Sequence, residues 1–498
     1  MTDYNGHTTN YTYTARGELA SITAPGSKVW NFSYNALGQR TQYTHPNGTR
    51  TEYGYDTQNR LTSIQHKDAS TQAVLFGLTY TLNDGGNITR VDHNDASYWL
   101  YGYDNRDRLT GAMRYNTTGN LLHWYGYTYD NADNMTQRWR FQASNSQTDV
   151  WDYTYNAGNE QTKMILNSST EETRMYDNWG RLATRTQGSY SASYAYRYGG
   201  RLYQATSNFP NESTVTFDYG GDGKLRTRTT ASETRTYRYD RGWNAVNEEV
   251  SGATAVSNVF EPGAQVGSIL AQVFGTLASG TPVYAYHDHM ATVRQWRYPN
   301  KNLARANEYD PYGNFYSYSG YLNMPRVYAL HEFDLALQQY RAPYRNYSPS
   351  MARWTTLDPM GMVDGPNMYA YVGGKTIVYL DPEGTRSGCG VQRCIRPMEG
   401  FPLAPHCYIR GGGGVWSRDR GFEDAHPNSR FRICEPTIRV SWGTLGDTAT
   451  SCANASCADI LRCIDNAPSL VGDDYHWLKN NCFNWVENTL KRCCLRYL

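Results

Sequence analysis

Cysteine is missing from the first 388 residues of this 498-residue chain. The ten cysteines all follow: Cys389, Cys394, Cys407, Cys434, Cys452, Cys457, Cys463, Cys482, Cys493 and Cys494. This shift in composition predicts a domain boundary close to residue 386. A 113-residue tail that holds every cysteine is expected to contain disulfides, a reactive thiol or a metal site.

The chain also lacks a charge excess and a long apolar run. Its net charge is +1, and the tail carries 14 Lys and Arg against 11 Asp and Glu. That balance argues against nucleic acid as a partner. No stretch is long and apolar enough for a membrane span, and the polar start MTDYNGHTTN does not resemble a signal peptide. Export, if it occurs, is expected to use a specialised secretion system.

Tyrosine and glycine are abundant, with 44 and 45 residues, which favours β structure with many turns. Tyrosine recurs every 20 to 26 residues, usually before a polar turn. The repeated positions are Tyr13, Tyr34, Tyr55, Tyr80, Tyr103, Tyr129, Tyr155, Tyr176, Tyr198, Tyr219 and Tyr239. Each unit predicts a β-hairpin, and neighbouring hairpins must pair into a twisting ribbon to bury a face. We expect the tyrosines to be scaffold, with their polar tips in water.

Several segments resemble the Rhs family, whose YD repeats are shared with Tc toxin C components and teneurins. The repeats YNALGQR, YDTQNRL, YDNRDRL and YDNWGRL start at residues 34, 55, 103 and 176. The segments YHDHMATVR and EYDPYGN, at 286–294 and 308–314, resemble the signature that closes these repeats. Residues 340–361 and 367–384 resemble the Rhs-associated core.

The resemblance implies a mainly β hairpin ribbon coiled into a hollow shell that encloses a C-terminal toxin domain. It divides the chain into a repeat shell at 1–260, a core at 261–385 and a Cys-rich toxin domain at 386–498. It also implies an immunity protein and a secretion or shell-closing partner. The apolar segment 265–280 is expected to be either a plug or inner-wall packing.

Two D-P-x-G motifs begin at Asp358 and Asp381 and flank a hairpin-like segment. Asp-Pro followed by Gly suits tight turns. Two carboxylates in contact can instead share a proton and act as acid and base in peptide hydrolysis. The resemblance to Rhs cores implies this second role, with Arg353 as a helper. It also implies cleavage near Thr385 and Arg386, although the family usually has Leu where this chain has Thr385.

The tail predicts a small α+β domain, and its strongest candidate nucleophile is Cys482. Asn480 or Asn481 would cap a helix that begins there, and the helix dipole would lower the pKa of the thiol. An earlier helix start would instead place Cys482 on an apolar stripe in the core. Of the tail histidines, His406, on an apparent strand, is the best placed base.

A strand histidine before a Y-x-x-L-x-x-N-C-x-x-W helix resembles the circularly permuted papain-like fold of lecithin:retinol acyltransferase and PPPDE peptidase groups. The resemblance implies that His406 activates Cys482 for attack on an acyl or amide bond of a target-cell protein or lipid. Protease, deamidase and acyltransferase outcomes share this chemistry. A third polar residue is open, with Asp419 and His426 as candidates.

Other interpretations of the tail stay open. Cys452, Cys457 and Cys463 with His476 match a zinc site only loosely, so no metal or cofactor is predicted. The cysteines could staple a non-enzymatic domain that binds a receptor or disrupts membranes. The diversity of Rhs tails also allows a nuclease or an ADP-ribosyltransferase.

Overall fold

A computed structural model describes residues 1–263, 265–320 and 324–389, together with the backbone of two short strands at 410–411 and 414–415. Residues 1–389 lie in a compact unit that spans Met1–Ala404. Within the described residues, helical structure is limited to the 3-10 turns Tyr198–Gly200, Met362–Asp364 and Val372–Gly374. No described helix is long and apolar enough to cross a membrane.

A single antiparallel sheet of 28 strands dominates this unit, and each strand pairs with the next along the chain. This hairpin ribbon confirms the predicted β architecture. The strands are β1 Asn10–Tyr13, β2 Leu19–Ala24, β3 Lys28–Tyr34, β4 Arg40–Thr44, β5 Thr49–Tyr55, β6 Leu61–Asp68, β7 Val74–Leu82, β8 Ile88–His93, β9 Tyr98–Tyr103, β10 Leu109–Tyr115, β11 Leu121–Tyr129, β12 Met135–Gln142, β13 Gln147–Tyr155, β14 Gln161–Leu166, β15 Thr170–Tyr176, β16 Leu182–Gln187, β17 Tyr190–Tyr196, β18 Leu202–Ser207, β19 Val215–Tyr219, β20 Leu225–Thr230, β21 Thr234–Tyr239, β22 Ala245–Val250, β23 Ala253–Phe260, β24 Ile269–Phe274, β25 Thr281–His287, β26 Val293–Arg297, β27 Leu303–Tyr309 and β28 Phe315–Gly320.

A smaller antiparallel sheet follows the ribbon. Its strands are β29 Val327–Tyr328, β30 His331–Asp334, β31 Gln339–Arg341, β32 Asn346–Ser348 and β33 Arg353–Trp354. Four further short strands complete the described structure, with β34 Tyr379–Leu380 paired with β35 Gly388–Cys389, and β36 Arg410–Gly411 paired with β37 Gly414–Val415.

The turn after each repeat tyrosine explains the YD motif. In YDNWGRL, Oδ1 of Asp177 accepts hydrogen bonds from the amides of Trp179 and Arg181, at 2.9 and 3.0 Å. Its Oδ2 lies 2.7 Å from the Arg181 guanidinium. Gly180 adopts a φ of +66° in this turn, a conformation that costs glycine little. The motif therefore builds a side-chain-capped turn that returns the chain into the next strand.

The repeat tyrosines tie successive hairpins together. Their hydroxyls donate to the backbone carbonyl that opens an earlier strand, in the pairs Tyr55–Arg40, Tyr103–Ile88, Tyr129–Leu109, Tyr155–Met135, Tyr196–Leu182 and Tyr219–Leu202, at 2.6 to 2.9 Å. These contacts agree with a scaffold role, and the six hydroxyls bond backbone carbonyls of neighbouring hairpins. Leu82 and Tyr196, not Tyr80 and Tyr198, end their strands.

The ribbon coils so that its late strands pack against its early ones. We call this contact between early and late strands the seam. Residues that are 221 to 251 positions apart in the sequence meet there, as in the bond from Lys28 Nζ to the Leu277 carbonyl at 2.7 Å. The segment 265–280 supplies β24, whose Leu270, Ala271 and Val273 are buried in the core shared with the first hairpins. This placement matches inner-wall packing.

The smaller sheet and the loops that follow it pack against the middle of the ribbon. Arg228 Nε lies 2.6 Å from Asp334 Oδ2, and the Tyr369 hydroxyl donates to the Gly180 carbonyl at 2.6 Å. Ala336, Leu337 and Met351 share a core with ribbon residues between 182 and 237. The main sheet itself runs to Gly320, so ribbon strands extend into the predicted core range of 261–385. These contacts fix the loops that carry the D-P-x-G motifs.

Candidate active site

The carboxylates of Asp358 and Asp381 meet in the small-sheet region. Asp358 follows β33, and Asp381 follows β34. Both residues make the turns that Asp-Pro and Gly favour, because Asp358 Oδ1 accepts from the Met360 amide at 2.7 Å and the Gly361 amide donates to the Asp358 carbonyl at 3.0 Å. The turn interpretation and the paired-carboxylate interpretation therefore apply to the same residues.

One guanidinium joins the two aspartates. Nη2 of Arg345, in the turn between β31 and β32, lies 2.7 Å from Asp358 Oδ2 and 2.9 Å from Asp381 Oδ2. The three side chains are 2 to 4 % exposed. Arg345 also stacks over Trp354, with 4.3 Å from its guanidinium carbon to the ring centroid. A buried, shared cation holds two like charges together that would otherwise repel.

Burial raises the pKa of Asp358 to about 7. The Arg345 cation opposes this rise in pKa, whereas the neighbouring Asp381 and Asp364 carboxylates add to it. Asp358 can therefore hold a proton close to neutral pH. A protonated carboxyl beside a second carboxylate is the arrangement that acid–base hydrolysis needs.

The backbone after the second motif wraps around this pair. Oδ1 of Asp381 accepts from the amides of Gly384, Thr385 and Arg386, at 3.0, 2.9 and 3.0 Å. Nε of Arg345 donates to the Gly384 carbonyl at 2.7 Å. The predicted cleavage region at Thr385 and Arg386 thus lies against the carboxylates, and its neighbouring carbonyl is polarised by a cation.

Arg353, the predicted helper, contacts other residues than the two aspartates. Its Nη2 donates to the Asn159 carbonyl at 2.6 Å, and its guanidinium stacks over Tyr155 and Tyr369 at 4.9 Å. The arginine that bridges the aspartates is Arg345, which no sequence motif predicted. It stands 13 residues before Asp358 in the same family-like segment, but only the turn between β31 and β32 brings it to the site.

Two further residues join the site without having been predicted. Asp364 places a carboxylate oxygen within 4.8 Å of oxygens of Asp358 and Asp381. His331 lies with Nε2 3.2 Å from the Pro382 carbonyl, and burial lowers its pKa to about 4. A neutral imidazole that donates to this carbonyl would hold the second motif in place. Neither residue has a sequence signal of its own, because both come from turns and strand starts that the tertiary fold assembles.

The predicted effector residues Cys482 and His406, like Asp419 and His426, lie outside the described residues. Their pairing stays a prediction.

Comparison with known proteins agrees with this fold. Residues 34–71 match the RHS Repeat family. No curated protein matches the chain. The fold is similar to that of the TcdB2-TccC3-TEV crystal structure, with a TM-score of 0.59 and 20% identity over 76% of this chain and 21% of that one.

Two related assemblies are similar to this fold to about the same extent. The Photorhabdus luminescens Tc holotoxin pore with a mutated TccC3 gives a TM-score of 0.60 at 19% identity, over 79% of this chain and 22% of that one. TcdB2-TccC3 without its hypervariable C-terminal region gives a TM-score of 0.55 at 19% identity, over 76% of this chain and 20% of that one. The chain spans about a fifth of the length of these structures. It contains an RHS repeat and has the β shell fold of these toxin components.

Proposed function

We propose that this chain is part of a bacterial toxin shell that cuts its own backbone with Asp358 and Asp381 and so frees a C-terminal effector. The observation that carries the proposal is the pair of buried carboxylates on Arg345, with the amides of 384–386 bound to one of them. The RHS repeat and the toxin-shell fold support the same function.

In the proposed reaction, a water oxygen attacks a backbone carbonyl carbon between Gly384 and Arg386. The ionised carboxylate of the pair accepts the water's proton, and the carboxyl that holds a proton, Asp358, donates to the leaving nitrogen as the C–N bond breaks. Arg345 stabilises negative charge on the carbonyl oxygen, a role consistent with its 2.7 Å bond to the Gly384 carbonyl. Atoms and protons balance within one hydrolysis.

For the released part, we propose Cys–His chemistry on an acyl or amide bond, with Cys482 as nucleophile and His406 as base. A related TccC3 is described as having a hypervariable C-terminal region, which supports a variable cargo at this end of the chain. The shell would be delivered to a target cell by a specialised secretion system. TcdB2 in the related complexes suggests a second shell chain as partner, and the Rhs resemblance suggests an immunity protein.

Two experiments test these proposals separately. Self-cleavage is tested by replacing each site aspartate with asparagine and following chain length on denaturing gels. The effector chemistry is tested by comparing Cys482→Ala with Cys452→Ala for toxicity in cells, alongside thiol titration of the native protein. Loss of toxicity in Cys482→Ala alone supports a nucleophile, whereas equal loss in both variants points to disulfide stapling. Unchanged toxicity in Cys482→Ala rejects the thiol enzyme.

A further inference from the structure

A third carboxylate, Asp364, lies beside the aspartate pair and binds the chain beyond it. Asp364 ends the 3-10 turn Met362–Asp364, and its Oδ2 accepts from the Ser387 amide at 2.5 Å. One of its oxygens lies within 4.8 Å of oxygens of both Asp358 and Asp381. It therefore touches the same short backbone segment as the proposed catalytic pair.

Asp381 and Asp364 bind neighbouring amides of that segment. Asp381 accepts from the three consecutive amides of Gly384, Thr385 and Arg386, and Asp364 accepts from the next amide, at Ser387. Four successive amides are thus held by two carboxylates. A segment fixed on both sides of Thr385 and Arg386 cannot slide by a residue without losing these bonds.

Asp364 differs from the other two aspartates in its surroundings. Asp358 and Asp381 are buried and share Arg345, whereas Asp364 is exposed. Ser387, which Asp364 binds, lies directly before β35, and β35 pairs with β34.

We propose that Asp364 is a positioning residue for self-cleavage, which holds the Ser387 amide and so sets which peptide bond faces the Asp358–Asp381 pair. The inference rests on the proposed self-cleavage and adds a determinant of the cut position. Asp364 needs no proton transfer in this role, so an amide oxygen at the same place should largely replace it.

The test uses the full chain, synthesised in vitro, with the cleavage rate read from a gel time course and the cut position read from the intact mass of the fragments. Asp364→Ala removes the acceptor, and Asp364→Asn keeps an oxygen. Ser387→Pro removes the amide N–H on the other side of the same bond. Ser387→Ala is its matched control, because it keeps the amide.

We expect Asp364→Ala and Ser387→Pro to slow cleavage about tenfold and to give fragments of mixed mass. Asp364→Asn and Ser387→Ala should stay within about threefold of wild type and give one mass. A role in folding alone would slow cleavage without moving the cut.

Wild-type rate and a single mass in both Asp364→Ala and Ser387→Pro would overturn the inference and leave self-cleavage standing. Asp358→Asn is run beside these variants, and cleavage that persists in it would overturn the proposed function itself. The two failures are therefore distinguishable in one set of samples.

Discussion

Arg345 Nη2 lies 2.9 Å from Asp381 Oδ2, and both side chains are 2 % exposed. This buried pair forms the centre of the candidate site, because the same nitrogen also reaches Asp358 at 2.7 Å. A guanidinium can bind two carboxylates and a carbonyl in fixed directions, which a lysine ammonium cannot do as well.

Arg345→Met should abolish self-cleavage, and Arg345→Lys should reduce it. Removing the cation leaves two buried acidic side chains without a counter-charge, and breaking a buried ion pair costs about 3–5 kcal/mol of stability. A gel assay for cleavage with a thermal melt of the same samples measures both effects. Arg353→Lys is the matched control and should keep cleavage, because Arg353 contacts the Asn159 carbonyl and not the aspartates. Cleavage lost in Arg353→Lys and kept in Arg345→Met would reverse the assignment.

Cleavage should slow as the pH rises above about 7. Burial raises the pKa of Asp358 to about 7, so its acidic proton is present below that pH and is lost above it. Initial rates measured from pH 5 to 9 check this, with the melting temperature recorded at each pH to separate unfolding from loss of the acid. A rate that keeps rising to pH 9 would contradict the role of Asp358 as the proton donor.

Acid should weaken the seam between early and late strands. Burial lowers the pKa of His66 to about 3 and that of His287 to about 4, and the His66 ring stacks on Tyr286 at 4.5 Å. The unfolded chain protonates these imidazoles below about 6.5, so the stability they contribute is full above that pH and falls as the pH drops toward 4.

Melting temperatures of wild type and His66→Phe at pH 7 and pH 5 test whether acid lowers the stability in this way. The variant keeps an aromatic ring at the seam but has no imidazole to protonate, so its melting temperature should fall less on acidification. His7→Gln keeps His66 and His287, so its melting temperature should fall on acidification as that of wild type does. An equal fall in wild type and His66→Phe would contradict the account.

Tyr129→Phe should destabilise the shell by about 1–2 kcal/mol. Its hydroxyl donates to the Leu109 carbonyl at 2.7 Å and lies 2.5 Å from the Tyr312 hydroxyl. Tyr13→Phe is the matched control, since Tyr13 ends β1 in the same repeat position and is 56 % exposed. Urea unfolding of the two variants makes the comparison. Equal stability in both would remove the link between hairpins that we ascribe to the repeat tyrosines.

The sequence predicts the ribbon because its signals are local. A tyrosine, an Asp or Asn, and a positive-φ residue such as Gly180 determine each turn within a few positions. The D-P-x-G motifs are local in the same way and correctly name Asp358 and Asp381 as residues that meet. Arg345 and Asp364 escape prediction because packing, not spacing, brings them to the pair. The resemblance to Rhs cores implies Arg353 as the helper, whereas β33 carries its side chain toward Asn159.

The most direct test of the central claim compares wild type, Asp358→Asn and Asp381→Asn as full 498-residue chains on a denaturing gel after synthesis and folding. Asparagine keeps the shape of each side chain but cannot exchange a proton at this site. The account predicts that wild type releases a fragment of roughly 113 residues, the length of 386–498, while both variants stay intact. Release of the same fragment by both variants would contradict it.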